Sequence, residues 1–152
     1  ARYCFRTYNV RPGWMFGGRP SHKKNFVFRR YEEARSQPVI RSAGDKFGSP
    51  TFTVDLAEKV VELLGTEQYG VYHITNEGGA SRFEYVKCIV EAFGLPIPVE
   101  MVDSSYYPRP SPIPASEMLE NRNLNFLGLP PLEPWQDAIR RYVRMLKREV
   151  GL

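Results

Sequence analysis

The sequence has few of the residues and motifs on which several common classes of protein depend. Its 152 residues contain two cysteines, Cys4 and Cys88, which are too few and too far apart for a disulfide-stapled secreted domain. No apolar run approaches the ~20 residues that cross a bilayer, and no signal-peptide pattern opens the chain. We therefore expect a soluble cytoplasmic protein that engages no membrane.

Metal-binding and catalytic motifs are missing as well. The histidines, His22 and His73, share no spacing with cysteines or acidic residues that would build a zinc site. There is no G-x-G-x-x-G turn, no Walker lysine and no G-x-S-x-G elbow. The sequence predicts no metal site, no catalytic residue and no complete nucleotide-binding loop.

What the chain does contain is enough apolar mass for a folded core. Hydrophobic residues make up 42% of the sequence and aromatic residues 13%, which excludes wholesale disorder. The formal charge of +4 suits an anionic small molecule as readily as nucleic acid. The basic residues of the last helix are predicted to form a solvated face, so we expect no nucleic-acid partner. They are Arg140, Arg141, Arg144, Lys147 and Arg148.

Strands and helices alternate in the predicted element order, which is typical of α/β folds. Helices are predicted over 25–36, from an N-cap at Thr53 to Gly65, from a capping box at Ser81 and Glu84 to Gly94, and from Pro134 onward. Short strands are predicted over 38–40, 71–75 and 99–102. No internal repeat or second boundary is visible, so residues 1–152 are predicted to form one region.

Unusual residues concentrate in three loops, at 11–18 with 23–25, at 45–51 and at 106–114. Each loop mixes aromatics, small residues and cations, a composition that suits a cleft stacking a planar ring and holding phosphate oxygens. The same prolines and glycines also shape turns with no ligand. On residue types alone, ligand binding and turn formation both remain open.

These segments, taken in order, resemble the dTDP-4-dehydrorhamnose reductase family of extended short-chain dehydrogenases. The pattern Arg11-x-x-Trp14-x-x-Gly17 and the run 47–57 are the most specific, and 70–74, Ser81-x-x-Glu84, Arg109-Pro110 and Trp135 follow in register. The resemblance covers only the family's C-terminal half. It implies an α/β fold, namely the substrate-binding portion of a Rossmann-like fold without the glycine-rich cofactor-binding half.

The resemblance also implies a function for the site residues. The complete enzymes reduce a 4-keto sugar attached to dTDP with NADPH (or NADH), using an upstream Tyr-x-x-x-Lys pair that this chain does not contain. Substrate contacts are carried over to Trp14, Lys24, Asn25 and Arg109, and a position near the nicotinamide to the turn Pro12–Gly13. Trp14 would be an aromatic wall of the cleft, with a core residue as the alternative, and Arg109 is a candidate phosphate contact. We expect this chain alone to be inactive and to bind no cofactor tightly, with the cofactor half as its missing partner.

One departure from the family pattern bears on the substrate. Family members commonly carry a second Arg-Pro before an x-x-Ser-x-Leu run, whereas this chain reads Ile113-Pro114 and then places Glu117 where serine is usual. A cation is lost and an acid is gained, which puts the identity of the substrate in doubt.

The alternative function is that of a non-catalytic relative, similar to the regulatory β subunit of methionine adenosyltransferase.

Open strand edges lead to a further expectation. Strands that join a larger parallel sheet in the complete enzymes would here present unpaired edges or uncovered apolar faces. We therefore expect self-association into a homo-oligomer, by strand exchange.

Overall fold

The computed structural model describes residues 4–152 and has a mixed α/β architecture, as predicted. Among these residues the strands are β1 (Tyr8–Pro12), β2 (Trp14–Phe16), β3 (Ile40–Ala43), β4 (Phe47–Gly48), β5 (Pro50–Phe52), β6 (Gly70–Ile74), β7 (Ala80–Ser81), β8 (Val99–Val102) and β9 (Ser116–Glu117). The helices are α1 (Phe26–Ser36), α2 (Thr53–Leu64), α3 (Arg82–Phe93), α4 (Arg122–Phe126) and α5 (Trp135–Val150). A short 3-10 helix spans Ser104–Tyr106.

The strands form small ladders between segments that are distant in sequence. β1 runs parallel to β6, β2 to β5 and β3 to β8. β4 lies between β7, which is antiparallel to it, and β9, which is parallel. Parallel pairs require long crossover connections, and here helices supply them. The pairing of β4 with β9 is what brings the segment around Glu117 back to the first third of the chain.

Three apolar clusters hold these ladders and helices together. The largest packs α1, α3 and α5 against β2 and β5, and the rings of Phe16 and Phe52 stack at 5.3 Å at its centre. A second cluster lies between α2, β6 and α4, and a third between α1, β3 and α3. The largest cluster fixes the starts of β2 and α3 beside each other, which positions the site described below.

The helix starts show where local sequence signals hold and where they fail. The capping box at α3 is confirmed, because Ser81 Oγ accepts from the backbone N–H of Glu84 and the Glu84 carboxylate accepts from the Ser81 N–H. The predicted cap at Thr53 is wrong. Phe52 occupies the N-cap of α2 and Thr53 is already helical, because Phe52 belongs to the short strand β5 that runs directly into the helix.

Other boundaries also differ from prediction. The predicted loop over 44–50 contains β4 and the start of β5, whose two or three residues are too short to show a periodic pattern. The strand predicted over 38–40 begins only at Ile40 and continues to Ala43. No helix among residues 4–152 combines the length and apolar character that crossing a membrane requires.

Candidate functional site

An open cleft of about 1100 Å³ lies where the ends of several ladders meet. It receives side chains from β2, α1, β3, the start of α3 and the proline-rich segment 107–114. Five cationic side chains line it, Arg30, Arg41, Lys46, Arg82 and Arg109. The carboxylates that line it are those of Asp103 and Glu117. We call it the cationic cleft. Three of these cations pair with carboxylates outside the lining, Arg30 with Glu33, Arg41 with Glu100 and Lys46 with Asp45. Arg82 and Arg109 form no ion pair among residues 4–152, and they give the cleft a positive charge that favours an anion.

The proline-rich segment forms one wall of the cationic cleft. Its position is fixed by polar contacts: Tyr107 Oη donates to the carbonyl oxygen of Arg41 at 2.7 Å, and Lys46 Nζ donates to that of Ile113 at 3.3 Å. Prolines cannot donate to a strand ladder, and the segment runs irregularly along the surface.

The floor beside this wall is anchored by a carboxylate. Asp45 accepts hydrogen bonds from the Ser104 hydroxyl at 2.6 Å and from the Ser104 backbone N–H at 2.8 Å. The hydroxyl is the main reason that the pKa of Asp45 is lowered. Asp45 Oδ2 also lies 3.6 Å from Lys46 Nζ, so this carboxylate pairs with one of the cations that line the cleft.

Trp14 opens β2 and stands in the opposite wall. Its indole Nε1 donates to Glu117 Oε2 at 3.0 Å, and the Arg82 guanidinium lies 3.6 Å from its ring centre. Gly48 is required here, since a Cβ at that position would fall 2.1 Å from the indole Cε2. The tryptophan therefore joins three segments of the chain at the edge of the cleft.

Arg82 is the first residue of α3 and is half-buried beside Trp14. Burial is the main cause that lowers the pKa of its guanidinium, and the positive charge of Arg109 lowers it further, while Tyr85 and Glu117 act in the opposite direction. A guanidinium stays protonated in proteins. Arg82 is therefore a positively charged side chain that is only partly solvated.

The structure brings some of the predicted site residues together and separates others. Trp14 and Arg109 both line the cationic cleft. Asn25 is 3% exposed and caps α1: its Oδ1 accepts from the Phe28 N–H, and its Nδ2 donates to the hydroxyl of Tyr142 at 2.7 Å. Lys24 is exposed and lies outside the lining of the cleft. The roles of all four in binding stay predictions.

The turn predicted to lie near a nicotinamide is occupied by backbone packing. Pro12 ends β1, and a Cβ on Gly13 would fall 2.0 Å from the carbonyl oxygen of Ser49. The adjoining Trp14 N–H donates to that same carbonyl at 2.8 Å. Contact with Ser49 thus accounts for the glycine, and the role of Pro12 and Gly13 toward a cofactor stays a prediction.

Sequence reasoning missed most of the cationic lining. Nothing in the sequence indicates a site role for Arg82, because it follows the cap residue Ser81 and is typical of an ordinary first helical residue. Arg30 and Arg41 lie on α1 and β3, outside the three loops considered. Lys46 lies in the predicted loop 45–51, and Glu117 carried a signal as an acid in place of the family's serine.

A second polar cluster, away from the cleft, corrects the prediction that Arg141 is solvated. Asp55 in α2 is buried, accepts from Asn76 Nδ2 at 2.7 Å and pairs with Arg141. Arg141 also contacts Glu133 at 2.8 Å, so it does not belong to a purely solvated face. These partners satisfy the buried carboxylate of Asp55, so the cluster links α2, the segment after β6, and α5.

Comparisons with known proteins place this geometry in context. The family model described as RmlD substrate binding domain matches residues 1–148. The Bacillus subtilis spore coat polysaccharide biosynthesis protein SpsK is 33% identical over 135 residues, 89% of this chain and 46% of that protein. A dTDP-4-dehydrorhamnose reductase from Mycolicibacterium smegmatis is 33% identical over 136 residues, 88% of this chain and 41% of that protein.

A solved structure agrees with the sequence comparisons. The crystal structure of a dTDP-4-dehydrorhamnose reductase from Bacillus anthracis in complex with NADP superposes with a TM-score of 0.84 at 25% identity, covering 91% of this chain and 48% of that one. The chain therefore spans less than half the length of the relatives it matches.

Proposed function

The chain belongs to the RmlD substrate binding domain family, and from that premise we propose that it is the sugar-nucleotide-binding half of a dTDP-4-dehydrorhamnose reductase. In this proposal the complete enzyme reduces dTDP-4-keto-L-rhamnose to dTDP-L-rhamnose with NADPH or NADH. Residues 1–152 form a single region that holds the dTDP-sugar.

The charge of the cleft is the observation that carries this proposal. Arg82 and Arg109 have no ion-pair partner among residues 4–152, and both line a cavity of about 1100 Å³, a size that suits a nucleotide sugar rather than a single ion. Arg109 contributes a planar, permanently charged fork that fits phosphate oxygens. The proposed substrate carries its two negative charges on a diphosphate, which is the chemistry that such a lining attracts.

The catalytic group and the cofactor lie outside this proposal for the chain itself. Tyr3 and Tyr8 are followed four residues later by Thr7 and Pro12, so neither belongs to a Tyr-x-x-x-Lys pair. The residues present do not form a complete dinucleotide site, because the sequence has no glycine-rich turn between a strand and a helix. We therefore assign the reduction and the tight binding of NADPH to the full-length enzyme.

Titration calorimetry on the purified protein tests the proposal. We expect dTDP and dTDP-L-rhamnose to bind, thymidine to bind far more weakly, and NADPH to give no tight binding. Arg109→Gln should weaken dTDP binding by about tenfold, the lower end for a lost charged hydrogen bond. Arg144→Gln, on the exposed face of α5, is the matched control. Absence of dTDP binding would contradict the proposal and favour a role in partner binding.

A further inference from the structure

Both faces of the Trp14 ring are covered within the chain. The Arg82 guanidinium carbon lies 3.6 Å from the ring centre, and the backbone of Gly48 approaches the same ring so closely that a Cβ there would clash with it. The two groups cannot occupy one face, because both would then fill the same space directly above the ring. They lie on opposite faces, so no face of Trp14 is left to stack a base or sugar.

The indole edge is occupied too. Nε1 is the one polar atom of the side chain, and it donates to Glu117 Oε2. The hydrogen-bond donor and both faces of Trp14 are therefore in contact with other groups of the protein. A cation–π interaction with Trp14 holds the guanidinium of Arg82 in place beside the cleft.

The N–H donors of the Arg82 guanidinium have no acceptor among residues 4–152. Among residues 4–152 its guanidinium forms no ion pair, and it donates no hydrogen bond. Glu117 is near enough to favour its charge but lies outside ion-pair distance, and Arg109 is near enough to oppose it. The Arg82 guanidinium is half-buried, lies near that of Arg109 and has unused donors. A doubly charged anion would stabilise both cations by accepting these hydrogen bonds.

We propose that Arg82, together with Arg109, binds the diphosphate of the nucleotide sugar, and that Trp14 and Glu117 are positioning residues for the Arg82 guanidinium rather than a stacking surface for the ligand. The proposal rests on the proposed function, since it names the residues of the same cleft that hold the phosphates. Lying over Trp14 fixes the guanidinium plane, so little conformational freedom remains to be lost when a phosphate binds.

The first test measures dTDP and thymidine binding to the purified protein and to Arg82 variants by titration calorimetry. Arg82→Gln should weaken dTDP binding by about tenfold to hundredfold and leave thymidine binding unchanged. Arg82→Lys should fall between, because the charge stays while the planar fork is lost. Arg144→Gln is again the matched control. Equal dTDP affinity of the wild-type protein and Arg82→Gln overturns the proposal.

The second test asks whether Trp14 acts through Arg82. Trp14→Leu should weaken dTDP binding in the wild-type background but add little in an Arg82→Gln background, because the residue that it positions is already gone. Trp14→Phe, which keeps a ring under the guanidinium, should bind more tightly than Trp14→Leu, and thermal melting identifies any variant that does not fold. A loss of thymidine affinity in Trp14→Leu shows direct stacking and refutes the positioning role.

The experiments distinguish failure of the proposed function from failure of the assignment of Arg82. If the wild-type protein binds no dTDP, the proposed function fails before any variant is made. If it binds dTDP and the Arg82 variants do so equally well, the proposed function stands and the assignment of Arg82 fails.

Discussion

Glu117, one of the two carboxylates that line the cationic cleft, limits how strongly the cleft attracts an anion. Glu117 lines the cleft and holds the Trp14 indole, so its charge opposes a bound diphosphate while its oxygen is needed for the hydrogen bond. Glu117→Gln removes the charge and keeps a carbonyl oxygen as acceptor. We expect dTDP to bind several-fold more tightly, by an amount that shrinks as salt is raised. Glu120→Gln, at an exposed position nearby, is the control, and an unchanged affinity contradicts the expectation.

A buried phenol makes the stability of the protein depend on alkaline pH. Tyr142 donates to the Gly18 carbonyl at 2.8 Å and accepts from Asn25 Nδ2, and burial raises its pKa to about 12. Its pKa in the unfolded chain is about 10. The folded state holds the proton more tightly, so this contribution to stability is complete below pH 10 and is lost as the pH rises toward 12.

The variant Tyr142→Phe tests this pH dependence. At pH 8 it should cost about 1–2 kcal/mol, because Gly18 and Asn25 lose a partner. Between pH 10 and 12 its free energy of unfolding should fall less steeply than that of the wild-type protein. Urea unfolding at pH 8, 10 and 11 measures both effects, with Tyr106→Phe at an exposed position as control. Parallel pH profiles for Tyr142→Phe and the wild type would rule out this assignment.

Single residues of the site were predictable only where their type was unusual for its place. Trp14 and Arg109 stood out because a tryptophan and an arginine lay among prolines and glycines, and the structure places both at the cleft. Arg82 carried no such signal, since a basic residue at the start of a helix reads as solvated. Its role emerges only from the side chain that it covers, which lies 68 positions away in the sequence.

At the scale of elements, two helix starts with similar sequence signals are built differently. Ser81 caps α3 with its side chain, whereas Thr53 lies inside α2 and makes no cap hydrogen bond. Ser81→Ala should therefore cost about 1 kcal/mol, and Thr53→Ala, its matched control, no more than about 0.5 kcal/mol. Chemical denaturation measures the difference. Equal losses would mean that the capping box does not stabilise α3.

The elements that could be predicted are those with their own periodic pattern and their own stop signal. α3 has a capping box, an apolar stripe and a glycine in the left-handed region at its end, Gly94. β4 and β9 have two residues each and exist because they pair with each other across 67 intervening residues. α4 is similarly short, and Leu124 makes it part of the second apolar cluster. Tertiary partners decide such elements, and local sequence does not contain them.

At the scale of the whole molecule, apolar surface remains uncovered along α2. Val54, Ala57, Val61 and Leu64 are all exposed at helical spacing, and Val61 is 69% exposed. β1 has β6 as its one partner among the described strands, which leaves its other edge open. We expect the protein to self-associate, with a weight-average mass that rises with concentration in analytical ultracentrifugation.

The variant Val61→Glu identifies the surface responsible. A charge within this stripe should lower self-association while changing the free energy of unfolding by less than about 0.5 kcal/mol, because the side chain is exposed. Met145→Glu, at an exposed apolar position on α5, is the matched control. A monodisperse wild-type monomer across the concentration series speaks against the expectation.

The packing of α5 has a consequence for how the chain acquires its structure during synthesis. The largest apolar cluster draws Trp135, Ala138, Ile139, Tyr142, Val143 and Leu146 from this helix. A nascent chain still short of these residues lacks the surface on which α1, α3, β2 and β5 assemble, and such exposed apolar faces invite misassembly. We therefore expect the cleft to form only after the ribosome has translated α5, and we expect a premature stop codon before Trp135 to abolish the proposed ligand binding even though every cleft residue has been made.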